Sequence, residues 1–163
     1  MDNIDIRAGR YFTDFGQGFY VTSKYEQAET WAKNKFKDNI SKFENLKPSI
    51  VKLTLDIEVL KQGRGLIIDS PSDKWAEFVY NCRKEGLYDK LFHDYDFVCG
   101  SLADGKIAPL IRLLMRGEIS HHDFHQQIKP RKFEDQLSFH KPIALECIKE
   151  MEVFTIEKLT PPR

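Results

Sequence analysis

Apolar residues recur along this chain with two different periods, and the change of period marks out the elements. Ile50-Val51-Lys52-Leu53-Thr54-Leu55-Asp56 alternates and predicts a strand with one buried face. From Lys24 to Lys37 the period is helical, with Ala28, Trp31, Ala32 and Phe36 on one side. Ser23 stands where an N-cap belongs, and Glu26 follows as its capping-box partner. A second helix opens at Ser70-Pro71-Ser72-Asp73, presents Trp75, Phe78, Val79 and Cys82, and ends at Gly86. Further helices are predicted over Pro109–Arg116, after the cap Ser120, and from Pro142, where Ala144, Leu145 and Ile148 turn inward.

The remaining apolar runs are short and β-prone. They are Phe19-Tyr20-Val21-Thr22, Leu66-Ile67-Ile68, Tyr95-Asp96-Phe97-Val98-Cys99-Gly100, Gln136-Leu137-Ser138-Phe139-His140 and a final strand over Glu152–Glu157. Strands and helices mix without a βαβ rhythm, which predicts an α+β fold rather than a doubly wound sheet. The 163 residues predict one domain over 1–163, large enough to bury a core without disulfides.

Charge and cysteine content narrow the functional classes. Lys plus Arg and Asp plus Glu balance at 25 each, so no global basic field draws the chain to nucleic acid or an anionic membrane. Cys82, Cys99 and Cys147 lie in apolar segments and read as reduced core residues of a cytoplasmic protein. No apolar run reaches membrane length, because Ile107–Met115 is interrupted by Pro109 and Arg112.

Three features suggest chemistry. Asp14-Phe15-Gly16-Gln17-Gly18 is a turn before the Phe19–Thr22 strand. A dinucleotide fingerprint would follow a strand instead, so this Gly-x-Gly is not one. His121 and His125 share a helix face at a spacing that metal ligands use. No His-Glu-x-x-His pattern or nearby Cys supplies a third ligand, so this reading assigns no metal and takes the face as solvated. Finally, Glu134-Asp135-Gln136 precedes a strand, and Glu134 or Gln136 would face a substrate if that strand edged a cleft.

Together these pieces resemble the ADP-ribosyltransferases, and in particular the poly(ADP-ribose) polymerase and diphtheria-toxin branch. The strand Gly16-Gln17-Gly18-Phe19-Tyr20-Val21-Thr22-Ser23 looks like that branch's Gly-x-Gly-(Ile/Phe)-Tyr strand. The chain resembles still more closely a small bacterial ADP-ribosyltransferase-like family. Asp14 to Thr22, Gln27-Ala28 with Trp31-Ala32, Tyr95 to Asp104, and Gln136 to Phe139 follow that family's order.

The resemblance implies a split mixed β-sheet core with flanking helices and NAD as substrate. It implies mono-ADP-ribosyl transfer to a protein or nucleic-acid acceptor, in a toxin or defence component with an antitoxin or partner protein and no membrane. Tyr20 would stack on nicotinamide, Trp31 would wall the pocket, and Gln136 would orient the ribose. Asp14 and Thr22 would organise the loop and strand around it. The alternative is a catalytically inactive module that keeps the fold.

Two departures bear on this choice. The family's opening strand carries a His-Gly or Arg-Gly anchor for NAD, and nothing before Arg10 supplies it. Either the chain lacks an upstream strand or its NAD site is degenerate, with Arg10 replacing part of the anchor. Gln136 stands where the branch has glutamate. A carboxylate about 5 Å from the developing oxocarbenium, at an effective dielectric near 20, is worth roughly 3 kcal/mol. That is on the order of a hundredfold in rate, of which a neutral amide retains part. Glu134 would supply a carboxylate if the strand began sooner.

Overall fold

The computed structural model describes residues 4–132 and 134–156. Four short strands form a mixed sheet in the order β1-β5-β4-β3. They are β1 (Phe19–Val21), β3 (Gly65–Ile67), β4 (Phe97–Gly100) and β5 (Gln136–Phe139). β5 is antiparallel to both β1 and β4, whereas β3 runs parallel to β4. β2 (Ser49–Leu55) and β6 (Ile148–Thr155) pair antiparallel as a separate two-stranded sheet. The five α-helices are α1 (Tyr25–Asn39), α2 (Ile57–Leu60), α3 (Asp73–Gly86), α4 (Ile107–Met115) and α5 (His121–Gln127). The fold is therefore α+β, with a mixed sheet and flanking helices.

Alternation along the strands divides the core in two. One sheet face carries Tyr20, Leu66 and Val98 and packs under α3, α4 and α5 through Trp75, Val79, Ile111 and Phe124. The opposite face carries Phe19, Phe97, Leu137 and Phe139 and packs on Leu60, Ala144, Cys147 and Ile148. Trp75, Phe124 and Phe139 are fully buried, each contributing about 2–3 kcal/mol of transfer free energy. Cys82 and Cys147 are buried, Cys99 is half-buried, and all three are free thiols.

Several expected elements need correction. α1 is not capped by Ser23: Lys24 is the capping residue, and its side chain makes no cap. The Ser23 hydroxyl and N–H bond Asp135 instead, because a carboxylate is the stronger acceptor. The apolar side of α1 is only half-buried, and Trp31 is 51% exposed. α3 starts two residues later than Ser70-Pro71 implies, with Ser72 as the cap whose Oγ accepts from the Trp75 N–H.

α4 begins at Ile107, since Pro109 has no N–H and fits within a first turn that leaves such donors unused. Pro142–Cys147 is a 3₁₀ helix, and Ile148 already belongs to β6. β6 thus starts before Glu152, and Glu157 lies outside the described residues. α2 was not expected. Asp56, read as the end of a strand, accepts from the N–H groups of Glu58 and Val59 and opens this helix. A short 3₁₀ turn at Ile6–Ala8 also went unread.

Candidate functional site

The turn before β1 is built around two glycines. Gly16 has φ +83°, a conformation that favours a residue without Cβ. At Gly18 a Cβ would lie 2.8 Å from the Phe139 carbonyl and 2.9 Å from His140 Nδ1, so only glycine lets the turn reach the sheet. The turn's carbonyls are then taken by side chains. Tyr20 Oη donates to the Gly16 carbonyl (2.6 Å), accepts from the Phe15 N–H (3.2 Å), and lies 2.9 Å from Thr13 Oγ1. Burial pushes the Tyr20 phenol above its ordinary range against the opposing Thr13 bond, so it stays neutral.

Two histidines hold the same turn from the other side. His93 Nε2 meets the Phe15 carbonyl at 2.8 Å, and its Nδ1 accepts from the Tyr95 N–H. His140 Nδ1 meets the Gln17 carbonyl at 2.7 Å. A carbonyl only accepts, so His140 carries its proton on Nδ1, and Nε2 accepts from Ser138 Oγ at 2.7 Å. The two rings meet edge to face with centroids 4.5 Å apart. Burial lowers the affinity of both for a proton, bringing His140 down to about 4. Both are neutral linkers at physiological pH.

Asp14 lies at the centre of the site and is buried. Its Oδ1 accepts from Arg83 Nε (3.0 Å) and Nη2, and its Oδ2 from the Ala103 N–H (2.7 Å) and Gln136 Nε2 (3.4 Å). Arg83 also donates to the Phe12 carbonyl and lies over the Phe12 ring. Gln136 Nε2 is also 3.5 Å from the Ser101 carbonyl, which accepts from Trp75 Nε1. This explains the amide at position 136. A glutamate there would set a second carboxylate against Asp14, and like charges at that distance resist joint ionisation.

A second polar cluster joins the end of β1 to the start of β5. Asp135 accepts from Thr22 Oγ1 (2.6 Å), the Ser23 N–H and the Ser23 hydroxyl. Burial alone would raise its proton affinity, but these donors outweigh it and hold the carboxyl below its ordinary range. The Gln27 amide bonds both the N–H and the carbonyl of Asp135. Beside this cluster is a cleft of about 360 Å³ lined by Lys24, Glu26, Gln27, Thr30, Lys132 and Glu134. Glu134 pairs with Arg131 at 3.2 Å.

The sequence-predicted residues therefore fall into two groups. Tyr20 pairs with Ser138 across the β1–β5 ladder, so Tyr20 and Gln136 share one sheet face. Thr22 follows β1 and reaches Asp135, and Asp14 reaches Gln136 directly. Trp31 and Arg10 are exposed, and among the described residues no hydrogen bond ties either to Asp14, Tyr20 or Gln136. Arg83, His93 and His140 complete the site. Their ordinary positions on a helix, a loop and a strand end carried no local signal.

A third constellation joins α3 to α5. His121 Nδ1 and His125 Nε2 stand 2.9 Å and 3.1 Å from Glu77 Oε2. Glu77 is a third group of ligand type, which the local pattern around the histidines lacked.

An α+β protein whose mixed sheet carries a buried acid, a pinned tyrosine and a glutamine at one strand end is the class these observations define. A family model described as "Protein of unknown function (DUF3990)" matches residues 1–150, and the chain belongs to that family. No curated protein and no solved structure matches the chain. No helix among the described residues is long and apolar enough to cross a membrane.

Proposed function

We propose that this protein is an ADP-ribosyltransferase-like enzyme that takes NAD as substrate. It transfers ADP-ribose to a macromolecular acceptor, a protein side chain or a nucleic-acid base. In this reading it is a cytoplasmic toxin or defence component, held in check by an antitoxin or partner protein. The observation that supports it most is that Gln136, more than a hundred residues further along the chain, bonds Asp14 and shares a sheet face with Tyr20.

Tyr20 has its phenol fixed by the turn, which leaves its ring a single orientation for stacking on nicotinamide. Gln136 orients the ribose through its amide, and Asp14 fixes that amide. Thr22, bonded to Asp135, holds the end of β1, and Trp31 walls the approach. Arg10 replaces part of the NAD anchor. Lys24 and Lys132 in the neighbouring cleft add positive charge, and Glu134 supplies a carboxylate there.

The test is a calorimetric titration of NAD into the wild-type protein and the Tyr20→Phe and Trp31→Ala variants. Saturable binding weakened several-fold by Trp31→Ala is expected. No binding at millimolar NAD overturns the reading.

The second reading, a catalytically inactive binding module with the same fold, is favoured by one observation. Gln136 is only 7% exposed, and its amide is shared between Asp14 and the Ser101 carbonyl. Nicotinamide release by the wild-type protein, lost in Gln136→Ala, favours the enzyme. Binding without release favours the module.

A further inference from the structure

α5 has seven residues, and of these only Phe124 is buried. What else joins it to α3 is polar. One ring nitrogen each of His121 and His125 and a Glu77 carboxylate oxygen all lie within 4.8 Å of one another. Zinc bonds of about 2.1 Å to nitrogen and oxygen set tetrahedral ligand edges near 3.3 Å. The observed separations from Glu77 Oε2, 2.9 Å and 3.1 Å, are close to that edge.

The surrounding groups prepare these atoms for a cation. His125 Nδ1 faces Asp73 Oδ1 at 3.3 Å while its Nε2 faces Glu77. A neutral imidazole has one N–H. If Asp73 receives it, the Nε2 lone pair points at a carboxylate oxygen, and the two repel unless a cation lies between them. A carboxylate behind a ligating histidine is also the usual way to fix its tautomer on a metal. On the other side, Asn81 Nδ2 donates to Glu77 Oε1 at 3.3 Å, leaving Oε2 for the histidines. His121 is held edge-on against the Tyr80 ring.

We propose that Glu77, His121 and His125 bind a zinc ion that cross-links α3 to α5, with Asp73 and Asn81 orienting the ligands. Two imidazoles and one carboxylate suit a borderline cation rather than magnesium, which prefers six oxygens. The half-exposed His121 and Glu77 leave the fourth position to water.

The experiment is a calorimetric titration of zinc chloride into the purified full chain, with magnesium chloride in parallel. The same titration is run on Glu77→Gln, His125→Ala, Asp73→Asn and His122→Ala, with circular dichroism confirming that each is folded. The expected result is one zinc per chain and no saturable magnesium binding. Glu77→Gln and His125→Ala should each weaken zinc at least about tenfold, and Asp73→Asn by about tenfold. His122→Ala should bind like wild type. Glu77→Gln keeps the side-chain shape and carries the test if His125→Ala does not fold. No saturable zinc binding up to millimolar concentration overturns the proposal. So does binding that Glu77→Gln leaves unchanged, or binding that His122→Ala abolishes.

Discussion

Two of this protein's polar constellations, each anchored on α3 through Arg83 and Glu77, differ in how their groups are satisfied. Around Asp14, four donors meet two carboxylate oxygens inside the fold, with Arg83 supplying the compensating charge. Around Glu77, two imidazoles and a second acid crowd one carboxylate at a half-exposed surface. The first site is complete as it stands and contributes to stability. The second gathers two imidazoles and two carboxylates near the surface, the donor set on which the zinc proposal rests. Burial with full pairing makes a group expensive to change, whereas exposure makes it available to a ligand.

Removing the centre of the closed site gives the largest expected effect. Asp14→Ala leaves the partly buried Arg83 without its counter-charge and orphans the Ala103 N–H. A loss of about 3–5 kcal/mol is expected, read as a lower urea midpoint. The corresponding change at the open site, Glu77→Gln without zinc, should cost no more than about 1 kcal/mol. Equal losses would abolish the distinction.

Acid should act on the closed side next. Burial holds folded His140 at about 4, below its ordinary 6.5, so the unfolded chain binds more protons between those values. The stabilisation is fully present above about pH 6.5, falls as pH drops through that window and levels off near 4. Its size is on the order of 3 kcal/mol, and His93, shifted the same way, adds to it. Urea midpoints across pH 4–7 measure it, and a flat profile would contradict the neutral-linker role.

A smaller change tests why position 136 is an amide. Gln136→Glu should destabilise by about 2 kcal/mol at neutral pH through repulsion with Asp14. Protonation relieves it, so the deficit should shrink below about pH 5. A pH-independent deficit would assign the loss to packing.

The smallest expected effect separates the histidines of α5. His122 has no part in the Glu77 cluster, and His122→Ala should change the stability by no more than about 0.5 kcal/mol, read from the thermal midpoint.

The sequence made the local elements legible where caps and periodicity agreed. β5 runs from Gln136 as expected, α3 ends at Gly86, and Ser120 caps α5 with a complete capping box. It misled where a distant residue competed for a local role. Ser23 has every feature of an N-cap, yet Asp135 takes its hydroxyl, a contact set by strand pairing rather than by neighbours in the chain. Trp31 lies on a helical apolar stripe but is exposed, because α1 is only half-buried along that stripe.

The candidate site was half legible. Tyr20 and Gln136 stand out by motif, but Arg83 pairs with Asp14 across sixty-nine residues and leaves no local pattern. Glu77 is likewise forty-four residues from His121. Ligand spacing within one helix cannot reveal a partner on another.

The strand order also constrains the sequence in which the chain can mature. β5 lies between β1 and β4, so the sheet's first strand has no neighbour until residues 136–139 have been synthesised. During translation, β1 and the Gln136 bond to Asp14 must wait for residues 136–139, while α3 and α4 can already associate. A nascent chain stopped short of Gln136 would expose an unpaired strand edge and a buried-type acid together. Completion of the central strand therefore acts as the checkpoint between a sticky intermediate and the finished protein.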